Sequence, residues 1–413
     1  MTYRLISCLG LVAMIGIAWL ISEDRKKADW RLVGIGVGLQ FALGLLILQT
    51  DFGPLFFGWV RDVFVVVTNA SNEGAKFIFG NLTRVFLLDE GVVVGEDGPY
   101  LINAAIAFSV LPTVIVVSSI AGILYHLRII QFLVNAMARI MQKTLKTSGP
   151  ETFGAAMLIF MGIEGMPTMK AYLRSMSRSE LMVIMTAFMS TVAANVSLIY
   201  ASFGAEPGHL LAASIMSAPA AIIIAKLMVP KSDDDVTDSA ALKIEVESHN
   251  VIDGAARGAS EGVMLALNIG AVLIAFVALV FLVNQGFSAV FNHSFTEIMG
   301  WAFVPFAWLM GVPGADVIAV GQLLGTKTVI NEFLAYESMQ GMIAEGTLSP
   351  RSVMIATYAL CGFANPGSLG ILIAGLSSLV PERRAEIARL GIKSLAAGTL
   401  AVFMTACIAG ILG

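Results

Sequence analysis

Residues 298–332 read IMGWAFVPFAWLMGVPGADVIAVGQLLGTKTVINE, and this stretch determines what kind of fold the chain can form. Ile298–Val312 and Val317–Leu324 are apolar, yet each is shorter than the roughly 20 residues that a helix needs to cross a bilayer. Pro305 and Val312-Pro313-Gly314 interrupt the first piece, and the second runs into three polar residues, Lys327, Asn331 and Glu332. Such backbone is tolerated at membrane depth only where protein or a water-filled cavity surrounds it. We therefore predict a re-entrant helical hairpin here.

A second stretch of the same kind lies in the first half of the chain. Gly154–Gly162 is apolar, is also too short to span a bilayer, and ends just before Glu164. We predict that it forms another re-entrant hairpin with a carboxylate at its tip. A carboxylate within a membrane segment is rare, costly and by default functional, so Glu164 and Glu332 are the first candidates for a site.

The rest of the chain has the composition of a polytopic membrane protein. Of its 413 residues, 57% are apolar and 13% are charged, about half the roughly 25% charge of soluble domains. The net charge of −4 is too balanced to suggest a nucleic-acid partner. Eight stretches are long and apolar enough to span: Leu5–Ile21, Val33–Leu48, Leu101–Tyr125, Leu181–Phe203, Leu210–Val229, Val263–Val283, Val353–Leu379 and Leu395–Leu412.

One further apolar stretch is too charged to span. Phe56–Phe79 contains four charged residues and is expected to form one or two amphipathic helices in the membrane interface: Arg61, Asp62, Glu73 and Lys76. The predicted fold is therefore an all-α polytopic membrane protein with eight transmembrane helices, two re-entrant hairpins and an interfacial helix.

The distribution of lysine and arginine predicts the orientation. Arg25, Lys26, Lys27 and Arg31 follow the first span, which places that loop in the cytoplasm and the N-terminus outside. Most other basic residues fall in segments 126–180, 226–257 and 383–393, all on the same predicted side. Eight spans with both termini outside satisfy this pattern.

The two hairpins lie in similar contexts and indicate an internal repeat. Each glutamate is followed, in the next span, by an Ala-Asn pair with a nearby Ser-Leu, at Asn195 and at Asn365. The predicted orientation makes the hairpins enter from opposite sides, which is the inverted repeat of secondary transporters. Chance remains the alternative, because short Ala-Asn matches are common in apolar sequence. We divide the chain into four segments, 1–150, 151–230, 231–295 and 296–413, with one hairpin and its transport helices in the second and fourth.

A cluster of helix-breaking residues is expected to interrupt the seventh span. The chain reads Gly362-Phe363-Ala364-Asn365-Pro366-Gly367-Ser368-Leu369-Gly370, and proline removes a backbone donor and clashes with the preceding turn. Asn365 and Ser368 supply neutral hydrogen-bonding groups beside the break, and Phe363 supplies a flat apolar face. With Glu332, they suit a small uncharged molecule that has vicinal hydroxyls and an aromatic ring. A kink without a ligand is the alternative. Lys327 is expected to pair with a carboxylate or to cap carbonyls.

Two C-terminal stretches resemble motifs of the concentrative nucleoside transporter family. Lys327-Thr328-Val329-Ile330-Asn331-Glu332-Phe333-Leu334-Ala335 resembles its Lys-x-x-x-Asn-Glu-Phe-x-Ala motif, and the stretch from Gly362 to Gly370 resembles its Gly-Phe-Ala-Asn-x-x-Ser-x-Gly motif. The resemblance covers essentially the whole chain. It implies a bacterial plasma (inner) membrane protein that is a homotrimer and takes up nucleosides by an elevator movement coupled to an ion, with no other cofactor and no enzymatic activity. It also implies that Glu332, Asn365 and Ser368 bind the ribose, that Phe363 contacts the base, and that Glu164 reads the base beside Gly162, Ile163 and Asn331.

The first hairpin departs from the family pattern Gly-Gln-x-Glu. Gly162-Ile163-Glu164 has one residue between glycine and glutamate and no glutamine, so base preference is open. The family's sodium ligand upstream of the hairpin falls at or beside Leu158, which has no side-chain oxygen. Asn195 and Val196 could still hold sodium, with Asn195 at the position of a family serine. We favour coupling to protons, through Glu164 or Glu332, over coupling to sodium. The alternatives are transport of a nucleobase, modified nucleoside or other polar solute, and a nucleoside-binding gate or sensor that does not concentrate its ligand.

Overall fold

The computed structural model describes residues 2–80, 88–89, 92–93, 106–109, 111–231 and 248–413. These residues are mostly helical. The helices of the first part are α1 (Thr2–Leu20), α2 (Trp30–Leu48), α3 (Phe52–Phe79), α4 (Ile106–Ser109), α5 (Leu111–His126), α6 (Ile129–Leu145), α7 (Gly149–Met161), α8 (Lys170–Ser175), α9 (Arg178–Ser190), α10 (Ala194–Ser202) and α11 (Pro207–Met228). Those of the second part are α12 (Val251–Phe291), α13 (Phe295–Leu309), α14 (Val317–Val329), α15 (Glu332–Ala344), α16 (Pro350–Leu360), α17 (Pro366–Leu379) and α18 (Arg384–Leu412). The strands β1 (Leu88–Asp89) and β2 (Val92–Val93) form a short antiparallel pair, and 3-10 turns occupy Arg25–Lys27, Gly162–Met169 and Pro381–Arg383.

Five helical segments are long and apolar enough to cross a membrane unbroken, counting only the ranges above. They are α1, α2, α11, α12 and α18, and they overlap predicted spans one, two, five, six and eight, although α12 and α18 begin well before the predicted spans. A sixth is reached if the consecutive helices α5 and α6 are counted as one broken span. Residues 101–105 and 110 of predicted span three lie outside the described residues. The stretch predicted to lie in the membrane interface forms one helix, α3.

We predicted a single helix for span four, Leu181–Phe203. The structure has two helices there, so this prediction was wrong. The helix α9 ends at Ser190, α10 begins at Ala194, and the residues between them are extended. No glycine or proline lies in the break. Instead, the hydroxyl of Ser214 in α11 accepts a hydrogen bond from the Val192 amide (3.3 Å) and donates one to the Val192 carbonyl (2.9 Å). These two bonds satisfy backbone groups that the break leaves without helical partners.

Predicted span seven is broken where the sequence indicates. Helix α16 ends at Leu360 and α17 begins at Pro366. Pro366 occupies the first turn of α17, where a missing amide hydrogen costs nothing. At Gly362 a Cβ atom would lie 2.9 Å from the carbonyl oxygen of Met189 in α9 and 2.8 Å from a methyl group of Val402, so only glycine fits between these elements. The two broken helices therefore pack close together.

The first predicted hairpin contains two helices, but its first helix starts earlier than expected. Ser148 and Glu151 form a capping box, in which each side chain bonds the backbone of the other, so α7 begins at Gly149. It ends at Met161, and the next residue, Gly162, has a φ of +60° and a ψ of −151°, which are accessible in practice only to glycine. The chain then continues as a 3-10 turn into α8. The glycine in front of Glu164 is thus required by the backbone.

The second predicted hairpin consists of α13 and α14, which pack along each other and are followed by α15. We expected Pro305 to interrupt α13, but the helix runs through it to Leu309. Proline removes one hydrogen bond of the helix, yet α13 continues and packs closely along α14. A Cβ atom at Gly325 would lie 2.6 Å from the amide nitrogen of Gly300, and one at Gly321 would lie 2.9 Å from the Gly300 carbonyl oxygen. Small residues permit this approach, as is common between membrane helices.

The chain divides into two compact units. Unit 1 comprises Met1–Gly58, Gln131–Glu245 and Phe276–Gly413, and unit 2 comprises Trp59–Ile130 and Val246–Ala275. In unit 1, α9, α11 and α18 form the buried centre, and α1 and α2 pack against α18 and α11. In unit 2, α5 and α12 approach closely, since a Cβ atom at Gly258 would lie 2.2 Å from the Ser118 carbonyl oxygen. These units use discontinuous segments, whereas our four segments follow chain order and stay a prediction.

Outside the apolar helices, one charged cluster ties three parts of unit 1 together. Glu23, in the loop after α1, accepts hydrogen bonds from Arg178 at the start of α9 (2.8 Å) and from Lys393 in α18 (2.5 Å). The hydrogen bond from Arg178 is the main cause that lowers the pKa of Glu23, so this side chain stays a carboxylate. The basic loop after α1 is thereby held against α9 and α18.

Candidate functional site

The centre of the site is Glu332, the first residue of α15. Helix α14 ends at Val329, and the short break before α15 gives Asn331 an extended backbone. The Asn331 side chain caps α15 by accepting a hydrogen bond from the Leu334 amide at 3.0 Å. Glu332 is 5% exposed, so its carboxylate has almost no water to solvate it. It therefore depends on partners within the protein.

Two side chains from different helices supply those partners. Tyr200 in α10 donates its hydroxyl to Oε1 of Glu332 at 2.7 Å, and Asn365, in the break before α17, donates its amide to Oε2 at 2.7 Å. Hydrogen bonds to an ionised acceptor are shorter and stronger than neutral ones. The site thus joins α10, α15 and the α16–α17 break around one carboxylate.

Asn365 has a second function at the same place. Its side-chain oxygen accepts a hydrogen bond from the Ser368 amide at 2.9 Å and so caps α17. The N-termini of α15 and α17 therefore both lie beside the carboxylate. A helix N-terminus carries a partial positive charge, which stabilises an anion. The local backbone can stabilise Glu332 in this way without a paired arginine.

Lys327 caps a carbonyl, as one of our two alternatives anticipated. Its side chain is 1% exposed, and its Nζ donates to the carbonyl oxygen of Ala359 at 3.1 Å. Ala359 lies in the last turn of α16, where carbonyls lose their helical partners. Lys327 therefore supports the break on which Asn365 lies.

We expect Lys327→Met to destabilise the protein. Methionine has a similar length but donates no hydrogen bond, so the buried Ala359 carbonyl would lose a partner at a cost of about 1–3 kcal/mol. The measurement is thermal unfolding of purified protein in detergent. Lys143→Met removes an exposed lysine from α6 and is the control. Equal melting temperatures for the two variants would contradict this role of Lys327.

The structure brings Phe363 and Ser368 to the same break. Phe363 is half-buried, and its ring lies 5.6 Å from that of Phe188 in α9, centroid to centroid. Ser368 is half-buried in the first turn of α17. Cys361 begins the break, with its buried Sγ 3.5 Å from the hydroxyl of Ser214. The break therefore carries an aromatic ring and polar groups, and of these Asn365 contacts Glu332 directly.

The first hairpin is placed less completely. Glu164 lies in the 3-10 turn after Gly162, and Asn195 lies in the first turn of α10, but their side chains are outside what the structure describes. Ile163 is half-buried and faces α17, since a Cβ atom at Gly375 would lie 2.9 Å from its Cδ1. The tip of this hairpin thus packs against the helix that Asn365 caps. The functions predicted for Glu164 and Asn195 stay predictions.

Tyr200 is a site residue that the sequence analysis missed. It lies five residues after Asn195, within a stretch interpreted as an ordinary span. One signal was present, because a buried tyrosine usually finds a hydrogen-bond partner for its hydroxyl. Nothing in the sequence indicated that this partner would be Glu332, which is 132 residues away.

Comparisons with known proteins agree with this architecture along the chain. Family models match residues 9–82 (Na+ dependent nucleoside transporter N-terminus), 107–207 (Nucleoside recognition) and 209–410 (Na+ dependent nucleoside transporter C-terminus). The uncharacterized transporter YutK of Bacillus subtilis is 39% identical over 97% of this chain and 98% of its own length. Solute carrier family 28 member 3 of Mus musculus is 39% identical over 99% of this chain, and this chain spans 59% of that relative's length.

Solved structures show the same fold. The protein CNTnw in an inward-facing substrate-bound state has a TM-score of 0.89 and 37% identity, and the match covers 99% of this chain and 98% of that one. A variant of CNTnw in an outward-facing state has a TM-score of 0.89 and 36% identity, covering 100% and 99%.

The fold and the site define a multi-pass helical membrane protein of the transporter class. The chain belongs to the concentrative nucleoside transporter family, as the family models and its full-length relatives show. Its relatives are nucleoside transporters and not enzymes.

Proposed function

We propose that the protein takes up nucleosides across the bacterial plasma membrane and that Glu332 binds the ribose. The observation that carries the proposal is the buried carboxylate, which is held by Tyr200 and Asn365 at the junction of broken helices. A carboxylate accepts hydrogen bonds from two adjacent hydroxyls well. Ser368 adds a hydroxyl for the sugar, and the half-buried ring of Phe363 gives the base a flat surface to stack on.

We propose that the first hairpin completes the site, with Glu164 reading the base beside Gly162, Ile163 and Asn331. The packing of Ile163 against Gly375 supports this, since it places the hairpin tip against α17, the helix that Asn365 caps. Family members have a glutamine at this hairpin tip, and this chain has none at that position. A second candidate substrate class, nucleobases or modified nucleosides, follows from that difference, because a site that lacks one hydrogen-bonding group accepts other ligands.

The transport mechanism is proposed to be an elevator movement in a homotrimer. Two series of elements support an inverted repeat: α7–α8, α9 with α10, and α11; then α13–α14, which α15 follows, α16 with α17, and α18. Each series has a short helix pair, a broken helix and a long helix. Inverted repeats bind the substrate where the two repeats meet, near the midplane of the membrane. In this chain, segments 151–230 and 296–413 would form that junction. Both termini are proposed to lie outside.

We favour protons over sodium as the coupling ion. Sodium requires a shell of oxygen ligands, and Leu158 is a buried apolar residue at the position where the family supplies a side-chain oxygen. The carbonyl of Leu158 already accepts a hydrogen bond from the Gly162 amide. Asn195 with the Val196 backbone is the alternative sodium site. The family model is named for sodium dependence, so both ions need a direct test.

The test is uptake of radiolabelled uridine and adenosine into proteoliposomes. An inward proton gradient without sodium, and a sodium gradient without a proton gradient, are imposed separately. Accumulation above the external concentration under the proton gradient is the expected result. Accumulation under sodium alone would overturn the choice of ion but keep the symporter. Equilibration without accumulation under either gradient would indicate a gate, and no uptake would move the search to nucleobases and modified nucleosides.

A further inference from the structure

Tyr200 is held in place by packing that does not depend on its hydroxyl. It is 1% exposed, and its ring stacks on that of Tyr336 in α15, with centroids 4.6 Å apart and planes inclined by 18°. The Tyr336 hydroxyl points elsewhere and donates to the Thr357 carbonyl at 2.7 Å. The two stacked tyrosines therefore differ in one respect that matters here, because only Tyr200 donates to Glu332.

The geometry also limits how many hydrogen bonds the carboxylate can still accept. An ionised carboxylate has two oxygens and about four acceptor sites. Tyr200 uses one site on Oε1, and Asn365 uses one site on Oε2. These two side-chain donors leave about one site on each oxygen. Two acceptors on adjacent oxygens match two neighbouring hydroxyl groups, and a ligand with a single hydroxyl would leave one of them without a partner.

We propose that Tyr200 is a positioning residue that fixes Glu332 so that its remaining acceptor sites select a vicinal diol. The inference rests on the proposed function and deepens it, because it assigns the preference for ribonucleosides over deoxynucleosides to the pair Tyr200–Glu332. The alternative is that the Tyr200 hydroxyl donates to Glu332 only because a buried hydroxyl needs an acceptor, and that it has no effect on which sugar binds. The two readings differ in how the effect of Tyr200 depends on the sugar.

The test uses Tyr200→Phe, which keeps the ring and its stack on Tyr336 and removes only the donor. Uptake kinetics are measured for uridine, 2′-deoxyuridine and 3′-deoxyuridine. We expect kcat/KM for uridine to fall about tenfold or more, as for loss of a hydrogen bond to a charged group. The deoxynucleosides should lose much less, because they engage only one of the two acceptor sites, so the discrimination between the sugars shrinks.

Tyr336→Phe is the matched control, since it removes a hydroxyl from the other member of the stack and leaves the donor to Glu332. It should keep the wild-type preference for uridine over both deoxynucleosides, whatever its effect on overall rate. Tyr200→Phe combined with Glu332→Gln should lose little beyond Glu332→Gln alone, because Tyr200 acts through that carboxylate.

The rise in unfolding temperature on adding each nucleoside to purified protein gives a second measurement that requires no transport. An equal loss for all three nucleosides in Tyr200→Phe, or no loss, would overturn the inference while wild-type uptake keeps the proposed function. If the wild type neither transports nor binds any of the three, the proposed function fails and this inference fails with it.

Discussion

Replacing Glu332 with glutamine is expected to reduce nucleoside uptake by about 100-fold or more. Glutamine has nearly the same shape, but it is uncharged and its terminal nitrogen donates, so it cannot accept hydrogen bonds from both the Tyr200 hydroxyl and the Asn365 amide. One internal hydrogen bond and one acceptor for the sugar would be lost, and the hydrogen bonds that remain would no longer be to a charged group. Hydrogen bonds to a charged group contribute about 1.5–3 kcal/mol each, and two of them account for this factor.

The measurement is initial uptake rate in proteoliposomes at matched protein content. Glu345→Gln is the control, because it makes the same change at the exposed end of α15. Near-normal uptake by Glu332→Gln, at the level of Glu345→Gln, would remove Glu332 from the site and leave the buried carboxylate without a function in binding.

The second large effect is expected for Asn365→Ala, which removes two functions at once. The amide that donates to Glu332 is lost, and the cap of α17 is lost with it. We expect uptake to fall at least tenfold, since Glu332 would keep only Tyr200. Loss of the cap should also lower the free energy of unfolding by about 1 kcal/mol.

Asn365→Ser separates the two functions. Serine is a good cap residue, so thermal stability should stay close to that of the wild type. It has no amide to donate to Oε2 of Glu332, so uptake should stay low. The comparison needs melting temperatures and uptake rates of the three proteins. Recovery of uptake together with stability in Asn365→Ser would show that the cap alone matters.

The break of the seventh span was predictable because its cause is local. Pro366 and the glycines around it disfavour helix wherever they occur, and Asn365 is a strong cap residue. The same local chemistry placed Phe363, Asn365 and Ser368 beside one another. Glu332 was identifiable because a carboxylate in an apolar stretch is costly in any fold.

The break between α9 and α10 was not predictable, because its cause lies elsewhere in the chain. Thr191, Val192 and Ala193 contain no helix breaker, and the hydroxyl of Ser214 that satisfies Val192 belongs to another helix. The Tyr200–Glu332 bond is non-local in the same sense. At Pro305 the prediction was wrong in the opposite direction: local preference would end a helix there, but α13 continues, and it packs closely on α14 at Gly300. Sequence patterns report local preference, and these features are decided by packing.

The cysteines give this protein an intrinsic site for chemical labelling. Cys361 and Cys407 are buried, whereas Cys8 is exposed on α1. Because α1 is apolar enough to cross a membrane, Cys8 faces lipid or detergent, and a small membrane-permeant thiol reagent should reach it before the buried thiol beside the α16–α17 break. Since α1 belongs to the same compact unit as Glu332, a dye on Cys8 reports on the unit that carries the site. Single-molecule fluorescence could then follow that unit without first removing native cysteines.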